Sequence, residues 1–162
     1  MAREIRIEQA EDGRQLYCLT SHRRTITETD IVNFVNLVGL HEAPFIDMEY
    51  VKTLPGSHDK RFAPAPLLIS LGMGLVATYA ADVIAAVGEG EKFGPFHGMV
   101  GVEARVRHPV FPGDTLQVEL EAAVDRTTSR GQTLVDLKHT MTNQNGEVCV
   151  LFTEKIMFEP AA

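Results

Sequence analysis

The strongest constraint on the fold is a long apolar segment in the middle of the chain, from Leu67 to Val87. It is about long enough to cross a bilayer, but Asp82 lies inside it and no basic clusters flank it. A helix buried on most of its surface explains this composition better than a membrane span. We therefore expect a core helix with Pro66 in its first turn. Asp82 should be exposed or paired near the helix end, because burying an isolated carboxylate is costly.

Two glycines inside this helical segment, Gly72 and Gly74, carry a second expectation. Glycine weakens a helix interior, so its presence there usually has a packing reason. We expect another backbone to approach the helix closely at these positions.

Downstream of Gly88, apolar and polar residues alternate with a period of two, the pattern of half-buried strands. In the first such segment, Val100, Val102, Ala104 and Val106 should share one face. Asn145-Gly146 is a strong hairpin signal. Four antiparallel strands are predicted after the helix, joined by turns at residues 111–114, 126–131 and 145–146, with the last strand over residues 148–158.

Upstream of the apolar segment, the pattern predicts a strand over residues 13–26 and then a short helix. Thr27 is a good N-cap, with Asp30 three residues later close to a capping box. Gly39 is placed to end this helix. Residues 40–66 are rich in proline, and we expect an irregular region with at most one helical turn, capped by Asp47.

Bulk composition limits the possible functions. A chain of 162 residues fits one domain, residues 1–162, and its net charge of −7 argues against nucleic acid as a partner. Two cysteines cannot form a disulfide framework and suit a reducing compartment. The N-terminal residues contain no apolar run typical of a signal peptide. A cytoplasmic protein that does not bind a membrane is therefore expected.

The order of these elements is a strand, a short helix, a loop, one long helix and then four strands. One economical way to bury the long helix is to wrap the sheet around it. The predicted fold class is therefore α+β, with the antiparallel sheet of a hotdog fold around one central helix. Strand edges left by such a sheet commonly pair across a two-fold axis, so we expect a homodimer or a higher homo-oligomer.

Three segments resemble the MaoC-like (R)-specific enoyl-CoA hydratases. RTITETDIVNFVNLVGLHEAPFIDMEY, from Arg24 to Tyr50, resembles the opening helix and hydratase motif of that family, Gly-Asp-x-Asn-Pro-x-His-x-Asp. HPVFPGDTLQVELE, from His108 to Glu121, resembles its strand–turn–strand around Pro-Gly-Asp-Thr-Leu. KRFAPAPLLISLGMGL, from Lys60 to Leu75, occupies the place of the segment that opens the family's central helix.

The resemblance implies the hotdog fold, but the catalytic pair is missing. A gapless match places Leu40 where the family has its catalytic aspartate and Phe45 where it has its catalytic histidine. Hydration of an enoyl thioester needs a base that activates water and an acid that protonates the α carbon. Leucine and phenylalanine can do neither, so both are expected to line the substrate pocket.

The resemblance also implies a backbone donor for the thioester oxygen at the start of the central helix. Ala65 can supply this N–H, helped by the helix dipole, whereas Pro66 cannot. Leu67 is expected beside it in the pocket.

The motif match covers residues 39–47, which we call the motif loop. His41 and Glu42 lie in this loop and are the candidate substitutes for the missing pair; the alternative is that both are solvated. Arg105 and Arg107 share one strand face and are candidate ligands for the phosphates of coenzyme A; the alternative is an exposed sheet face. His58, Asp59, Lys60 and Arg61 are expected to form a solvated loop, with a phosphate contact from Lys60 or Arg61 as the alternative.

Other polar residues are assigned structural roles. His139 and Glu154 fall on otherwise apolar strand faces and are expected to mark an interface or a satisfied inward contact. His97 and His108 flank the first strand of the downstream sheet without the spacing of metal ligands. No metal and no bound cofactor are expected.

Three functions remain open at this stage. The first is a divergent hydratase or dehydratase that acts on a 2-enoyl or 3-hydroxyacyl thioester of coenzyme A or of an acyl carrier. The second is a non-catalytic subunit that binds acyl-CoA. The third is thioester hydrolysis, because other enzymes with the implied hotdog fold use a carboxylate from a similar region, and Glu42 is available there.

Overall fold

An antiparallel sheet with the strand order β1-β2-β5-β6-β7-β4 curves around one long helix, and β3 pairs with β5 beside this path. The computed structural model describes residues 4–161. The elements are β1 (Arg6–Gln9), β2 (Gln15–Thr20), β3 (Arg24–Thr25), α1 (Glu28–Val38), α2 (Ala43–Ile46), α3 (Met48–Lys52), α4 (Ala65–Glu91), β4 (Phe96–Val106), β5 (Thr115–Thr127), β6 (Thr133–Thr142) and β7 (Val148–Phe158). The predicted α+β hotdog architecture is confirmed.

Helix α4 is the predicted core helix, and it lies against the sheet with one face. Its buried residues are Leu67, Leu68, Gly72, Leu75, Val76, Val83 and Val87. Its length and apolarity alone would suit a membrane span, but this buried face packs into the domain core. Asp82 is exposed, as predicted.

The two helix glycines differ from the prediction. A methyl group added to Gly72 would lie 2.6 Å from Cε1 of Phe152 and 3.1 Å from Cε of Met141, so a side chain, not a backbone, approaches it. Nothing lies within 4 Å of such a group on Gly74. The expectation of a second backbone was therefore wrong at both positions.

Local signals upstream of α4 are largely confirmed. Thr27 and Asp30 form the capping box of α1, and Gly39 ends that helix in the left-handed region at φ 71°. Asp47 caps α3 through the N–H groups of Glu49 and Tyr50. Helix α2 and strand β1 were not predicted.

The strand predicted over residues 13–26 is divided into β2 and β3. Ser21 lies at the break and is fully buried. Its hydroxyl accepts the Val118 N–H at 2.9 Å and donates to the His22 carbonyl at 2.7 Å. These bonds replace regular ladder bonds and let the chain turn.

The four strands after α4 are confirmed, including the hairpin at Asn145-Gly146, where Gly146 has φ 79°. Strand β5 continues to Thr127 through an irregularity between Val124 and Arg126, so the following turn begins later than predicted. Strand β4 forms one edge of the sheet. Its large apolar residues are exposed: Phe96, Met99, Val100, Val102 and Val106.

Candidate functional site

A cavity of about 360 Å³ opens at the N-terminus of α4, and we call it the α4 cavity. Its volume falls in the range of small-molecule sites. Three segments form its wall: Leu54, Pro55, Gly56 and Ser57; Phe62, Ala63, Ala65 and Leu68; and Val106, Arg107, His108, Pro109 and Phe111. Most of these side chains are apolar, so the cavity suits a ligand with an apolar group.

Backbone hydrogen bonds hold the walls together. The Ala63 N–H donates to the Val110 carbonyl at 2.7 Å, which joins the segment before α4 to the β4–β5 connection. The N–H groups of Arg107 and His108 both donate to the Cys149 carbonyl, at 2.8 and 3.3 Å. The residues that face the cavity are therefore anchored to the sheet.

The start of α4 supplies a polar group to this apolar space. Ala65 is the first residue of the helix and lines the cavity. N–H groups in the first turn have no carbonyl one turn earlier to bond, and the helix dipole adds partial positive charge there. Pro66 has no N–H. The Ala65 N–H is therefore a backbone donor suited to an oxygen that gains negative charge, and its role at a thioester stays a prediction.

The motif loop lies behind this wall. Phe45 packs edge-on against Phe62, with ring centroids 5.4 Å apart, and Phe62 rather than Phe45 lines the cavity. Arg61 connects the loop to its surroundings: its Nη1 donates to the Phe45 carbonyl at 2.7 Å, and its Nε lies 2.6 Å from a carboxylate oxygen of Glu28. Arg61 is thus partly buried, whereas His58, Asp59 and Lys60 are exposed. The prediction of a solvated loop is wrong for Arg61.

The structure brings together only part of the predicted site. Ala65 and Arg107 line the α4 cavity. His41 and Glu42 are exposed and Leu40 is half-buried, and none of the three belongs to the cavity wall. Leu67 is buried in the core, and its neighbour Leu68 contacts the cavity instead.

Arg105 on β4 and Arg107, directly after the end of that strand, lie along an open groove that also includes Lys138 and Glu103. Lys138 pairs with Glu121 at 2.9 Å. Within residues 4–161, neither arginine side chain has an ion-pair partner. Arg107 borders both this groove and the α4 cavity.

Two further groups of reactive residues lie outside the cavity wall. His139 is fully buried and stacks on Phe152 with ring centroids 4.1 Å apart, and its Nε2 lies 3.2 Å from a Glu154 oxygen. Burial raises the pKa of the Cys18 and Cys149 thiols to about 11, so both stay protonated and unreactive at neutral pH. In the described part of the chain, no three His, Cys, Asp or Glu side chains cluster as metal ligands would.

Several members of the wall were not predicted from the sequence, among them Ser57, Phe62, His108 and Phe111. His108 had one usable signal, since it directly precedes the Pro-Val-Phe-Pro-Gly-Asp turn. The turn itself is fixed by Asp114, which accepts the Phe111 N–H at 2.8 Å. No comparable signal marked Ser57 or Phe62.

Comparison with known families decides the assignment. A family model described as "FAS1-like, dehydratase domain region" matches residues 16–152, which is most of the chain. The chain belongs to this family. No curated protein sequence matches it.

Solved structures with the same fold support the MaoC-like hotdog grouping of this FAS1-like dehydratase-region protein. A monoamine oxidase regulatory protein from Archaeoglobus fulgidus is 25% identical, with a TM-score of 0.68 over 90% of both chains. A MaoC-like dehydratase from Rhodospirillum rubrum is 22% identical, with a TM-score of 0.65 over 90% of this chain and 92% of the other.

A third similar structure is the HadBC complex, a 3R-hydroxyacyl-ACP dehydratase from Mycobacterium tuberculosis. It is 18% identical, with a TM-score of 0.56 over 86% of this chain and 95% of the other. The predicted membership of the MaoC-like hotdog family is confirmed. The roles predicted for individual site residues stay predictions.

Proposed function

We propose that this dehydratase-family protein binds an acyl thioester in the α4 cavity and catalyses hydration of a 2-enoyl group or dehydration of a 3-hydroxyacyl group. One observation carries the proposal: a mostly apolar cavity is lined by Ala65, the first residue of a long helix. Both reaction directions pass through a state with negative charge on the thioester oxygen. A fixed donor beside that oxygen stabilises this state more than the substrate itself.

The thioester carrier that we favour is coenzyme A, used as substrate and not as a resident cofactor. Arg107 stands between the α4 cavity and the groove that contains Arg105. Two arginines without ion-pair partners suit phosphate groups outside a cavity that holds the acyl part.

Binding without turnover is the second candidate function. Leu40 and Phe45 occupy the positions at which the resemblance places the catalytic pair, and neither can transfer a proton. This observation favours a binding subunit and leads us to expect hydration that is slow compared with typical enzymes of the family. Glu42, on which thioester hydrolysis would depend, lies outside the cavity wall and supports that third function poorly.

The two candidates separate in one pair of measurements on the purified protein. Calorimetry with butyryl-CoA, which has no double bond to hydrate, measures binding. The loss of enoyl absorbance with crotonyl-CoA measures hydration. We expect binding together with slow but measurable hydration. Binding without any hydration would leave the non-catalytic function, and no binding would contradict both.

We further propose a cytoplasmic homodimer. The support is the exposed apolar surface of edge strand β4, since such edges in soluble proteins are usually covered. Ile46 and Tyr50, in the irregular region of residues 40–66, are also exposed, and we expect this region to take part in the interface.

A further inference from the structure

We propose that His108 is the catalytic acid and base of the α4 cavity and replaces the pair that the motif loop lacks. This inference rests on the hydratase/dehydratase function proposed above. It assigns proton transfer to the β4–β5 connection, a different segment from the motif loop.

The composition of the cavity wall is the first argument. Within the part of the chain that the structure describes, the wall contains two ionisable side chains, Arg107 and His108, and no carboxylate. An arginine guanidinium stays protonated at any physiological pH and cannot serve as a base. Histidine is the side chain that takes up and releases protons near neutral pH. Any acid–base chemistry performed by a wall side chain therefore depends on His108.

The placement of His108 is the second argument. Its backbone N–H is bonded to the Cys149 carbonyl, and Pro109 follows it directly, so the backbone position is restrained while the side chain stays exposed. Ala65, which offers the N–H donor, lines the same cavity from a different segment of the chain. A thioester held between them would have its carbonyl near one wall and its double bond open to the other.

The reaction balances with a single histidine. The neutral imidazole removes a proton from water, and the water oxygen bonds to C3 of the enoyl group. The C2=C3 electron pair moves toward the carbonyl, whose oxygen then accepts a hydrogen bond from the Ala65 N–H. The imidazolium finally returns its proton to C2, which gives the 3-hydroxyacyl thioester and neutral His108. Dehydration follows the same steps in reverse.

The test compares His108→Gln with His58→Gln. His58 is exposed, lies close to the cavity through its edge contact with Phe111 at 5.9 Å, and is not part of the wall. For each protein, kcat and KM are measured with crotonyl-CoA, and the Kd for butyryl-CoA is measured by calorimetry. We expect His108→Gln to lower kcat at least about 100-fold, the usual contribution of one acid–base group, with an unchanged Kd. His58→Gln should keep the parent kcat.

Each other outcome has a separate meaning. If the parent hydrates crotonyl-CoA and His108→Gln does so equally well, the role of His108 is overturned and the proposed function stands. If His41→Gln or Glu42→Gln loses kcat instead, the motif loop carries the chemistry and His108 does not. If the parent binds butyryl-CoA but never hydrates crotonyl-CoA, both the catalytic proposal and the role of His108 fall, while acyl-CoA binding remains.

Discussion

Gly72 shows how one missing side chain fits the core helix to the sheet. The ring of Phe152 on β7 and the end of Met141 on β6 occupy the space that a Cβ atom would need. Both side chains are buried, so they have little room to move aside. Close packing, and not a conformational need of the backbone, explains glycine at this position of α4.

We predict that Gly72→Ala lowers the free energy of unfolding by about 1–3 kcal/mol, the usual cost of overpacking a core. Gly74→Ala is the matched control, because its methyl group would meet open space. It should be neutral, or stabilise by up to about 1 kcal/mol through higher helix propensity. Urea unfolding of both variants measures the difference, and equal effects would contradict the packing explanation.

His139 is fully buried beside the partly buried Glu154, and burial disfavours the charged form of both side chains. Burial lowers the pKa of His139 to about 4 and raises the pKa of Glu154. The Leu137 carbonyl, 2.9 Å from Nδ1, can only accept, so Nδ1 carries the proton. In the neutral ring Nε2 is then an acceptor, and it lies 3.2 Å from a Glu154 oxygen. Among the described residues Nε2 has no hydrogen-bond partner, so the inward contact predicted for His139 is satisfied at Nδ1 only.

This pair predicts a pH dependence of stability. Above about pH 6.5 the His139 imidazole is neutral in both the folded and the unfolded chain. Between about pH 6.5 and 4 the unfolded chain binds a proton that the folded chain rejects, so His139 lowers stability as the pH falls. The raised pKa of Glu154 acts in the opposite direction, because the folded carboxyl holds a proton that the unfolded one releases.

We expect the parent to lose about 2 kcal/mol more stability than His139→Gln between pH 7 and pH 5, since a pKa difference of one unit corresponds to about 1.4 kcal/mol. Denaturant unfolding at both pH values gives this difference. His22→Gln, at an exposed position, should behave as the parent does. A parent and a His139→Gln variant with the same pH dependence would exclude this role.

At the scale of elements, side-chain contacts connect the motif loop to the segment before α4, but the loop does not reach the α4 cavity. Arg61 connects α1, α2 and the segment before α4. Phe62 stands between Phe45 and the α4 cavity. A histidine placed at position 45 would therefore meet the Phe62 ring before it reached a substrate.

This arrangement predicts how the family's catalytic pair can be restored. Leu40→Asp with Phe45→His should raise hydration above the parent rate, and adding Phe62→Ala should raise it further, because the smaller side chain opens a path to the cavity. We expect the triple variant to exceed the parent by about 100-fold or more in kcat/KM for crotonyl-CoA. The control is Leu40→Asn with Phe45→Gln and Phe62→Ala, which opens the same path without a base. Equal rates in the triple variant and this control would show that the loop does not follow the family's course.

At the scale of the whole molecule, the two edges of the sheet differ in character. Strand β1 at one edge has an ion pair between Arg6 and Glu119 on its surface. Strand β4 at the other edge presents five exposed large apolar residues. One face of helix α4 is also exposed. Charge blocks edge pairing and apolar surface promotes it, so the β4 edge is the better surface for a second copy.

We predict that the parent is a dimer at micromolar concentration and that Val102→Lys is a monomer. Val102 lies opposite Glu154 on the neighbouring strand, so a lysine there is compatible with the folded chain but not with an apolar interface. Ile7→Lys changes an exposed apolar residue at the other edge and should leave the dimer intact. Light scattering measures all three, and a monomeric parent would contradict the proposed homodimer.

Much of the fold follows from local chemistry and was predictable from the sequence. The capping box of Thr27 and Asp30, the turn at Asn145-Gly146 and the period-two strands depend on groups only a few residues apart. The length and apolarity of α4 required a core helix with a sheet around it. The positions at which strands are interrupted were less predictable. Ser21 divides a strand through a hydrogen bond with the distant Val118, and the local sequence carries no signal of that bond.

The sequence by itself determined the class of protein and the central helix. It also predicted an N–H donor at Ala65 and the absence of the family's catalytic pair. The tertiary structure alone decided which residues meet at the α4 cavity. Its wall combines residues 54–57, 62–68 and 106–111, and their approach depends on how α4 and β4 pack. Local patterns reflect short-range hydrogen bonds and solvent exposure, whereas a cavity forms where distant segments stop short of contact. For that reason His108 joined the site and His41 did not.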